Sequence, residues 1–269
     1  MATTMRMTPE ERAGWDRDGY LVRRSVFSPD DVAELRDAAE GIAAGVKERA
    51  TRVGAGPQAL MADGHRIQFS SHAAIQWEWR EGSQEIRLIE PCDHLHPRVA
   101  ALFHDPRLAG PMRDAVGSEE VAPFTCKLNL KRAVEGSEFP FHQDYPYWYV
   151  AVGHDAAQVA TAIVFLDDAT CDNGAVRVIA GSHSAGPAVR DRNEPTEFLA
   201  DAARLDLERE VTVEVPAGSM LMFGAFLVHR SSPNRTTSHR RALLPSFQPA
   251  GRPRLHDVPY RRELVRDLP

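Results

Sequence analysis

The stretch Pro216-Ala217-Gly218-Ser219-Met220-Leu221-Met222-Phe223-Gly224-Ala225-Phe226-Leu227-Val228-His229 reads as a turn followed by buried strand. Pro-Ala-Gly is turn chemistry, and the apolar run Met220–Val228 is half the length of a membrane span and is broken by Gly224. The spacing predicts strands over Ser219–Phe223 and Phe226–His229, with His229 ending the run before a polar turn. The same texture extends outward. Phe124–Lys131, Val159–Phe165, Ala175–Ile179 and Val211–Val215 precede it, Arg240–Phe247 follows, and Asp172-Asn173-Gly174 marks a further turn. Short strands without intervening helices predict an antiparallel sandwich or jelly roll.

Toward the N-terminus the period changes. Thr8-Pro9-Glu10-Glu11 and Ser28-Pro29-Asp30-Asp31 each place a hydroxyl at the N-cap, proline at N1 and a carboxylate at N3. The first helix is expected to end near Gly19, Tyr20-Leu21-Val22 to form a short strand, and Val32, Leu35, Ala39, Ile42 and Val46 to give the second helix its packing stripe. Residues 51–64 read as a mobile loop, and Pro97–Leu102 and Pro106–Val116 as short helices. The expected layout is one domain over 1–269. It comprises a mostly helical layer over 1–120, the β core over 121–249 with a polar, lid-like insertion over 190–210, and a C-terminal tail over 250–269.

Composition narrows the function classes. In 269 residues, Lys plus Arg is 32 and Asp plus Glu is 38, so the net charge of -6 argues against general binding to nucleic acid or anionic membrane. The N-terminus lacks an apolar signal region, which makes the cytoplasm the expected compartment. Cys92, Cys126 and Cys171 are odd in number and far apart, so neither a disulfide framework nor a thiolate zinc site is indicated. The 11 histidines raise a different metal chemistry.

His142-x-Asp144 lies in Phe139-Pro140-Phe141-His142-Gln143-Asp144-Tyr145-Pro146-Tyr147-Trp148. On a strand, residues two apart share a face, so this imidazole and carboxylate can converge on one ion. His229 is the best third ligand. Two histidines and one carboxylate form the facial triad of non-haem Fe(II) oxygenases, which leaves coordination positions open. A dicarboxylate cosubstrate chelating there needs a cation at its far end, and Arg240, eleven residues beyond His229, offers a guanidinium fork. Ser231 can add a hydroxyl donor.

With these motifs the chain resembles the phytanoyl-CoA dioxygenase family of Fe(II)/2-oxoglutarate-dependent oxygenases, most strongly over Lys127–Phe247 and in the branch of bacterial small-molecule hydroxylases such as ectoine hydroxylase. The segments Asn173–His183 and Pro216–Ser219 also look like the family's recurring turns. The resemblance implies a double-stranded β-helix, cupin-like jelly-roll core, with Fe(II) on His142, Asp144 and His229 and the far carboxylate of 2-oxoglutarate on Arg240 and Ser231. It implies consumption of O2, release of succinate and CO2, and hydroxylation of an unactivated C–H. An acidic chain without an obvious basic stripe suits a phosphate-rich CoA handle poorly, so the expected substrate is a small polar metabolite of secondary metabolism, amino-acid-like or a natural-product intermediate. Asn129, thirteen residues before His142, and Thr161 match positions that contact 2-oxoglutarate in ectoine hydroxylases. Lys127 and Trp148 match positions that line the substrate there, although the residues around Lys127 depart from that subfamily. Related halogenases carry glycine or alanine where Asp144 stands, so the resemblance implies hydroxylation. Desaturation, cyclisation and epimerisation remain alternatives, as do a cupin-type metalloenzyme without 2-oxoglutarate and a non-catalytic jelly-roll binding module.

Other groups have plainer readings. Thr161 and Asn129 can bond neighbouring backbone, Trp148 can be a core aromatic, and Lys127 a solvated strand lysine. His183 is expected to bond its own loop, and Arg177 to face either the pocket or an outward salt bridge. His94-x-His96 is a competing metal pair at a helix entry. Trp77-Glu78-Trp79 reads as packing or one pocket wall, and Cys126 and Cys171 as inert.

Overall fold

Thr8 and Ser28 start the first two helices with reciprocal caps. The computed structural model describes residues 5–52, 58–60, 66–69, 73–78, 83–190 and 198–259. In α1 (Pro9–Asp18) Thr8 Oγ1 accepts from the Glu11 N–H at 3.2 Å, and the Glu11 carboxylate accepts from the Thr8 N–H at 2.9 Å. Gly19 ends the helix at φ 82°, and a Cβ there would stand 2.3 Å from His183 Nδ1. His183, expected to bond its own loop, packs over this turn because glycine leaves the space. In α2 (Pro29–Arg52) Ser28 and Asp31 repeat the cap, and the stripe Val32, Leu35, Ala39, Ile42 and Val46 is buried.

Thirteen strands form two antiparallel sheets among the described residues. In the larger, β1 (Tyr20–Arg23), β11 (Met220–Gly224), β8 (Ala160–Phe165), β13 (Ala242–Pro249), β6 (Val121–Asn129), β5 (Ile86–Glu90), β4 (Ala74–Trp77), β3 (Arg66–Phe69) and β2 (Gln58–Leu60) lie side by side in that order. The smaller runs β10 (Glu210–Thr212), β9 (Val176–Ile179), β12 (His229–Ser231) and β7 (Phe139–His142). Alternation assigns the faces. Ala160, Ala162 and Val164 on β8, with Met220 and Met222 on β11, pack against α2 and α4 (Pro106–Val116). Ile163, Phe165, Leu221 and Phe223 turn the other way and meet Val176 and Val178 of the smaller sheet. At β8 and β11 the large sheet is therefore buried on both faces, and the functional residues sit between the sheets.

Several elements differ from expectation. The stretch read as a mobile loop contains the end of α2 and, at Gln58–Leu60, strand β2; its other residues lie outside the described ones. The layer over 1–120 contributes β1 to β5 as well as helices, and of these only Tyr20–Val22 is apparent from sequence. Strands of three to five residues carry too little pattern, and pairing with neighbours decides them. The run Met220–Val228 is divided by a turn in which the Leu227 N–H donates to Gly224 O at 3.1 Å, so His229 opens β12 rather than closing a strand. Within the insertion, Ala202–Arg204 and Leu207–Arg209 are single 3-10 turns, and residues 191–197 lie outside the described ones. No helix among the described residues is long and apolar enough to cross a membrane.

An ion-pair network ties α2 to the core beside Arg240. Glu40 accepts from Arg132 at 2.5 and 2.8 Å and from Arg241 at 2.8 Å, and Arg241 also donates to Asp167 at 2.8 Å. Burial raises the Glu40 carboxyl, but the two guanidiniums outweigh it and lower the pKa to about 2. A depressed carboxyl stabilises the fold above its unfolded value and loses that contribution as pH falls from about 4.5 to about 2. Because the Glu40 side chain is 41% exposed, Glu40→Gln is expected to cost only about 1 kcal/mol at pH 7 and to flatten the acid limb of a Tm-against-pH curve in that window. Superimposable curves would show that the network contributes nothing.

Candidate metal centre

β7 and β12 are hydrogen-bonded neighbours, and their register sets His142 directly opposite His229, with ring centroids 4.2 Å apart. Each imidazole is oriented through its own strand. His142 Nδ1 donates to Pro140 O at 2.8 Å and His229 Nδ1 donates to Leu227 O at 3.0 Å, which leaves both Nε2 lone pairs free. Asp144 arrives differently from the sequence argument. It lies beyond the strand, in helical backbone (φ -72°, ψ -25°), at the N-cap of α5 (Tyr145–Val152). The convergence of H-x-D is thus a strand-to-helix corner rather than a two-residue strand repeat. Pro146 in the first turn of α5 and the Tyr145 N–H donating to Ala225 O at 3.1 Å fix the corner.

Gln143, between the two ligands, locks the corner from behind. It is 1% exposed; its amide donates to Gly186 O at 3.0 Å and Phe226 O at 2.5 Å and accepts from the Ala188 N–H at 2.7 Å. One ligand atom each from His142, Asp144 and His229 all lie within 4.8 Å of one another, the one such His/Cys/Asp/Glu cluster among the described residues.

Charge suits a divalent cation. Burial, reinforced by neighbouring His229, lowers the His142 pKa to about 3, and burial also lowers that of His229, so both rings stay neutral and free to ligate. Burial pushes the Asp144 carboxyl up, but the neighbouring Lys127 ammonium outweighs it and lowers the Asp144 pKa below its ordinary value, so the carboxylate stays ionised. Lys127 Nζ donates to Asp144 Oδ1 at 3.0 Å, leaving the other carboxylate oxygen for a metal. Burial works against the ammonium, yet Asp144 and Glu90 raise its pKa. Lys127 is therefore no solvated strand lysine. Its Nζ also lies 5.4 Å from the ring centroid of Trp148, whose indole is buried edge-on to Phe124. Trp148 is a core aromatic that also floors this cation. Tyr147 and Phe198, 4.6 Å apart, stand on the outer side of His142.

A second group of polar residues lies along the same interior. Ser231 follows His229 by one alternation and is 4% exposed, whereas Arg230 between them points outward to Glu210 at 2.5 and 2.9 Å. Asn129 pairs across β6 and β13 with Ala242, and its Oδ1 is buried without a partner among the described residues. Thr161 Oγ1 lies 2.8 Å from Ser246 Oγ, so its hydroxyl engages the neighbouring strand. Arg240 is 2% exposed and has no side-chain hydrogen bond or ion pair among the described residues; burial, weakly opposed by Asp167, lowers its pKa to about 10. A buried guanidinium of this kind calls for an anion. Lys131, missed in the sequence, lies close enough to feel that guanidinium: it is buried, donates to Ser137 O at 2.9 Å and Ser232 O at 2.6 Å, and has its pKa pushed well down by burial and then by Arg240 and Arg87. Its signal was the alternation Lys127-Leu128-Asn129-Leu130-Lys131.

The competing groups do not assemble. His96 caps α3 (Pro97–Ala100), its Nδ1 accepting from the Arg98 N–H at 3.1 Å, and the pair with His94 belongs to no three-ligand cluster among the described residues. Arg177 turns outward to Glu210 and Cys171. Trp77 packs on the helical side with its indole N–H on Gln68, whereas Glu78 is fully buried and accepts from the Ser137 N–H, so they do not share a wall; Trp79 lies outside the described residues. Cys126 lies buried beside Cys92, and burial pushes its thiol well up, as an inert thiol requires.

Residues 15–242 match the phytanoyl-CoA dioxygenase (PhyH) family, and the chain belongs to that family. It is 28% identical over 253 residues to an L-proline trans-4-hydroxylase of Streptomyces griseoviridis, covering 87% of this chain and 84% of that one. To an ectoine dioxygenase of Sphingopyxis alaskensis it is 34% identical over 244 residues, covering 86% and 72%. The crystal structure of EctD from S. alaskensis with 2-oxoglutarate and 5-hydroxyectoine superposes with a TM-score of 0.69 at 26% identity, covering 93% of this chain and 78% of that one. The protein is an iron- and 2-oxoglutarate-dependent dioxygenase with the jelly-roll core of that family. The neutral imidazoles, the ionised carboxylate and the unpartnered buried guanidinium are the donors that these two groups require.

Proposed function

We propose that this dioxygenase hydroxylates an unactivated C–H of a small zwitterionic metabolite, with His142, Asp144 and His229 holding Fe(II) and Arg240 and Ser231 holding the far carboxylate of 2-oxoglutarate. The observation that carries the reading is the triad, with both Nε2 atoms freed by backbone acceptors, on an interior that also buries an unpartnered guanidinium. Asn129 and Thr161 complete the cosubstrate contacts, Thr161 through the Ser246 hydroxyl it already meets. When bound, Fe(II) and 2-oxoglutarate would together activate O2, the oxidant of the reaction, and the protein's own residues bind, orient and exclude water. Lys127 uses one N–H on Asp144 and keeps two for a substrate carboxylate, above the Trp148 ring. An amino-acid-like substrate is in keeping with the named activities of the proline and ectoine relatives. The single domain would work in the cytoplasm in secondary metabolism, without nucleic acid or membrane.

The test is an anaerobic mixture of protein, Fe(II), 2-oxoglutarate and a panel of amino acids and cyclic imino acids, exposed to oxygen and analysed by mass spectrometry. A product heavier by one oxygen atom, formed with one succinate, is expected. Absence of 2-oxoglutarate-dependent succinate throughout would sink the mechanism.

A further inference from the structure

Glu90 is the last residue of β5, and no part of the metal and cosubstrate site described above uses it. The pairing of β5 with β6 sets Leu88 opposite Asn129 and Ile89 opposite Leu128, so the next step sets Glu90 beside Lys127. Ile89 and Leu128 enter the core beneath the helices, which turns Glu90 and Lys127 to the opposite face, the one that carries the triad. Contacts agree with this placement. Glu90 Oε1 accepts from Thr125 Oγ1 at 2.8 Å, on the same inward side of β6 as Lys127. His256, from the 3-10 turn Leu255–Asp257, comes within 3.4 Å of the same hydroxyl, and Leu255 packs on the cluster that contains Trp148. The C-terminal turn is held over this end by Arg254, which donates to both oxygens of Asp93 at 2.9 and 2.8 Å.

Glu90 is only half-buried, and among the described residues its carboxylate accepts one hydrogen bond, from Thr125 on Oε1. Its other oxygen is left to accept from something else. A half-buried carboxylate one strand away from a cation offers a ligand two charges of opposite sign on one face. Lys127 is already committed to Asp144, so the pair does not neutralise itself through a direct bond.

We infer that Glu90 is the specificity-determining acceptor for a cationic nitrogen of the substrate, with Thr125 holding its carboxylate in place and Lys127 taking the substrate's carboxylate beside it. The inference rests on the zwitterionic reading above and adds the residue that enforces it: an acid of the same shape without a basic nitrogen would leave Glu90 facing a group that cannot donate. A charge-assisted hydrogen bond in a partly desolvated site discriminates by about tenfold or more.

The experiment uses matched acids that differ only in the nitrogen: L-proline with tetrahydrofuran-2-carboxylate, and L-pipecolate with tetrahydropyran-2-carboxylate. Binding is measured by calorimetry to full-length protein loaded anaerobically with Fe(II) and 2-oxoglutarate. Wild type is expected to hold at least one nitrogen-bearing acid about tenfold tighter than its match. Glu90→Gln, which keeps the acceptor for Thr125, is expected to erase that preference while leaving the nitrogen-free acids and the Kd for 2-oxoglutarate unchanged, and Glu90→Asp to restore part of it. Equal weakening of both members of a pair would show that Glu90 acts only through Lys127 and would overturn the inference, as would a wild type with no preference for the nitrogen. Failure to bind iron or 2-oxoglutarate, read on the same samples, would instead overturn the proposed function.

Discussion

Asp144→Ala protein is expected to purify with less than about a tenth of the wild-type iron, and its iron affinity to fall by more than about 100-fold, beyond what loss of an outer partner of a ligand costs. The reason lies in the charge of the site. His142 and His229 are neutral, so Asp144 is the one anion of the triad, and no other carboxylate joins the cluster among the described residues. The same substitution strands a cation. Lys127 Nζ, whose side chain is 16% exposed, loses its 3.0 Å partner and keeps only the field of Glu90. Removing one partner of a buried pair costs about 3–5 kcal/mol, and the residual exposure puts this case near 3. The double variant Lys127→Met/Asp144→Ala separates the two consequences. It is expected to regain at least half of the lost stability in chemical denaturation while remaining unable to hold iron. An Asp144→Ala protein with wild-type iron content would remove Asp144 from the site, and one of unchanged stability would reduce the Lys127 contact to a surface pair.

Much of this site is legible in sequence, for reasons that vary residue by residue. His142, Asp144, His229 and Arg240 stand out because metal and carboxylate chemistry demands particular side chains at particular offsets. The geometry behind the H-x-D pattern is less legible. Tyr145-Pro146-Tyr147-Trp148 has the aromatic content of a strand, yet the proline sits in the first turn of a helix, and that helix brings Asp144 to the two imidazoles. Gln143 reads as a spacer, and only the fold shows that its amide ties the corner to residues 186–188 and 226. Lys131 and Glu90 escape for opposite reasons. Lysine on a strand reads as solvated unless its alternation with Leu128 and Leu130 is weighed. Glu90 becomes meaningful only when β5 is placed beside β6, and that register follows from pairing across the sheet rather than from any local pattern. The short strands β3 and β4 escape in the same way, because four residues of Arg-Ile-Gln-Phe or Ala-Ile-Gln-Trp become strand only against a partner.

Arg240→Met is expected to make the ligand-free protein more stable, by about 1–3 kcal/mol, while abolishing its response to 2-oxoglutarate. The sign follows from the environment of the guanidinium. It is 2% exposed, its Nε has no acceptor among the described residues, and burial lowers its pKa to about 10, so the fold bears an uncompensated buried cation that an unbranched apolar side chain relieves. A guanidinium serving only as structure would behave in the opposite way, because its removal would break hydrogen bonds that hold the fold. The cation is compensated when a dicarboxylate arrives. Wild type at 2-oxoglutarate about 100 times its Kd is expected to gain about 2.7 kcal/mol of stability, seen as a rise in Tm, whereas Arg240→Met at the same concentration gains none. Its KM for 2-oxoglutarate is expected to rise about 100-fold or more with iron content unchanged, since the triad comes from β7, β12 and the start of α5 and its imidazoles are oriented by Pro140 and Leu227. Arg240→Lys is expected to recover the charge but not the two parallel hydrogen bonds, and so to fall between the two. A ligand-free Arg240→Met protein less stable than wild type, with an intact 2-oxoglutarate response, would assign this arginine to the fold and leave the cosubstrate's far carboxylate without its partner.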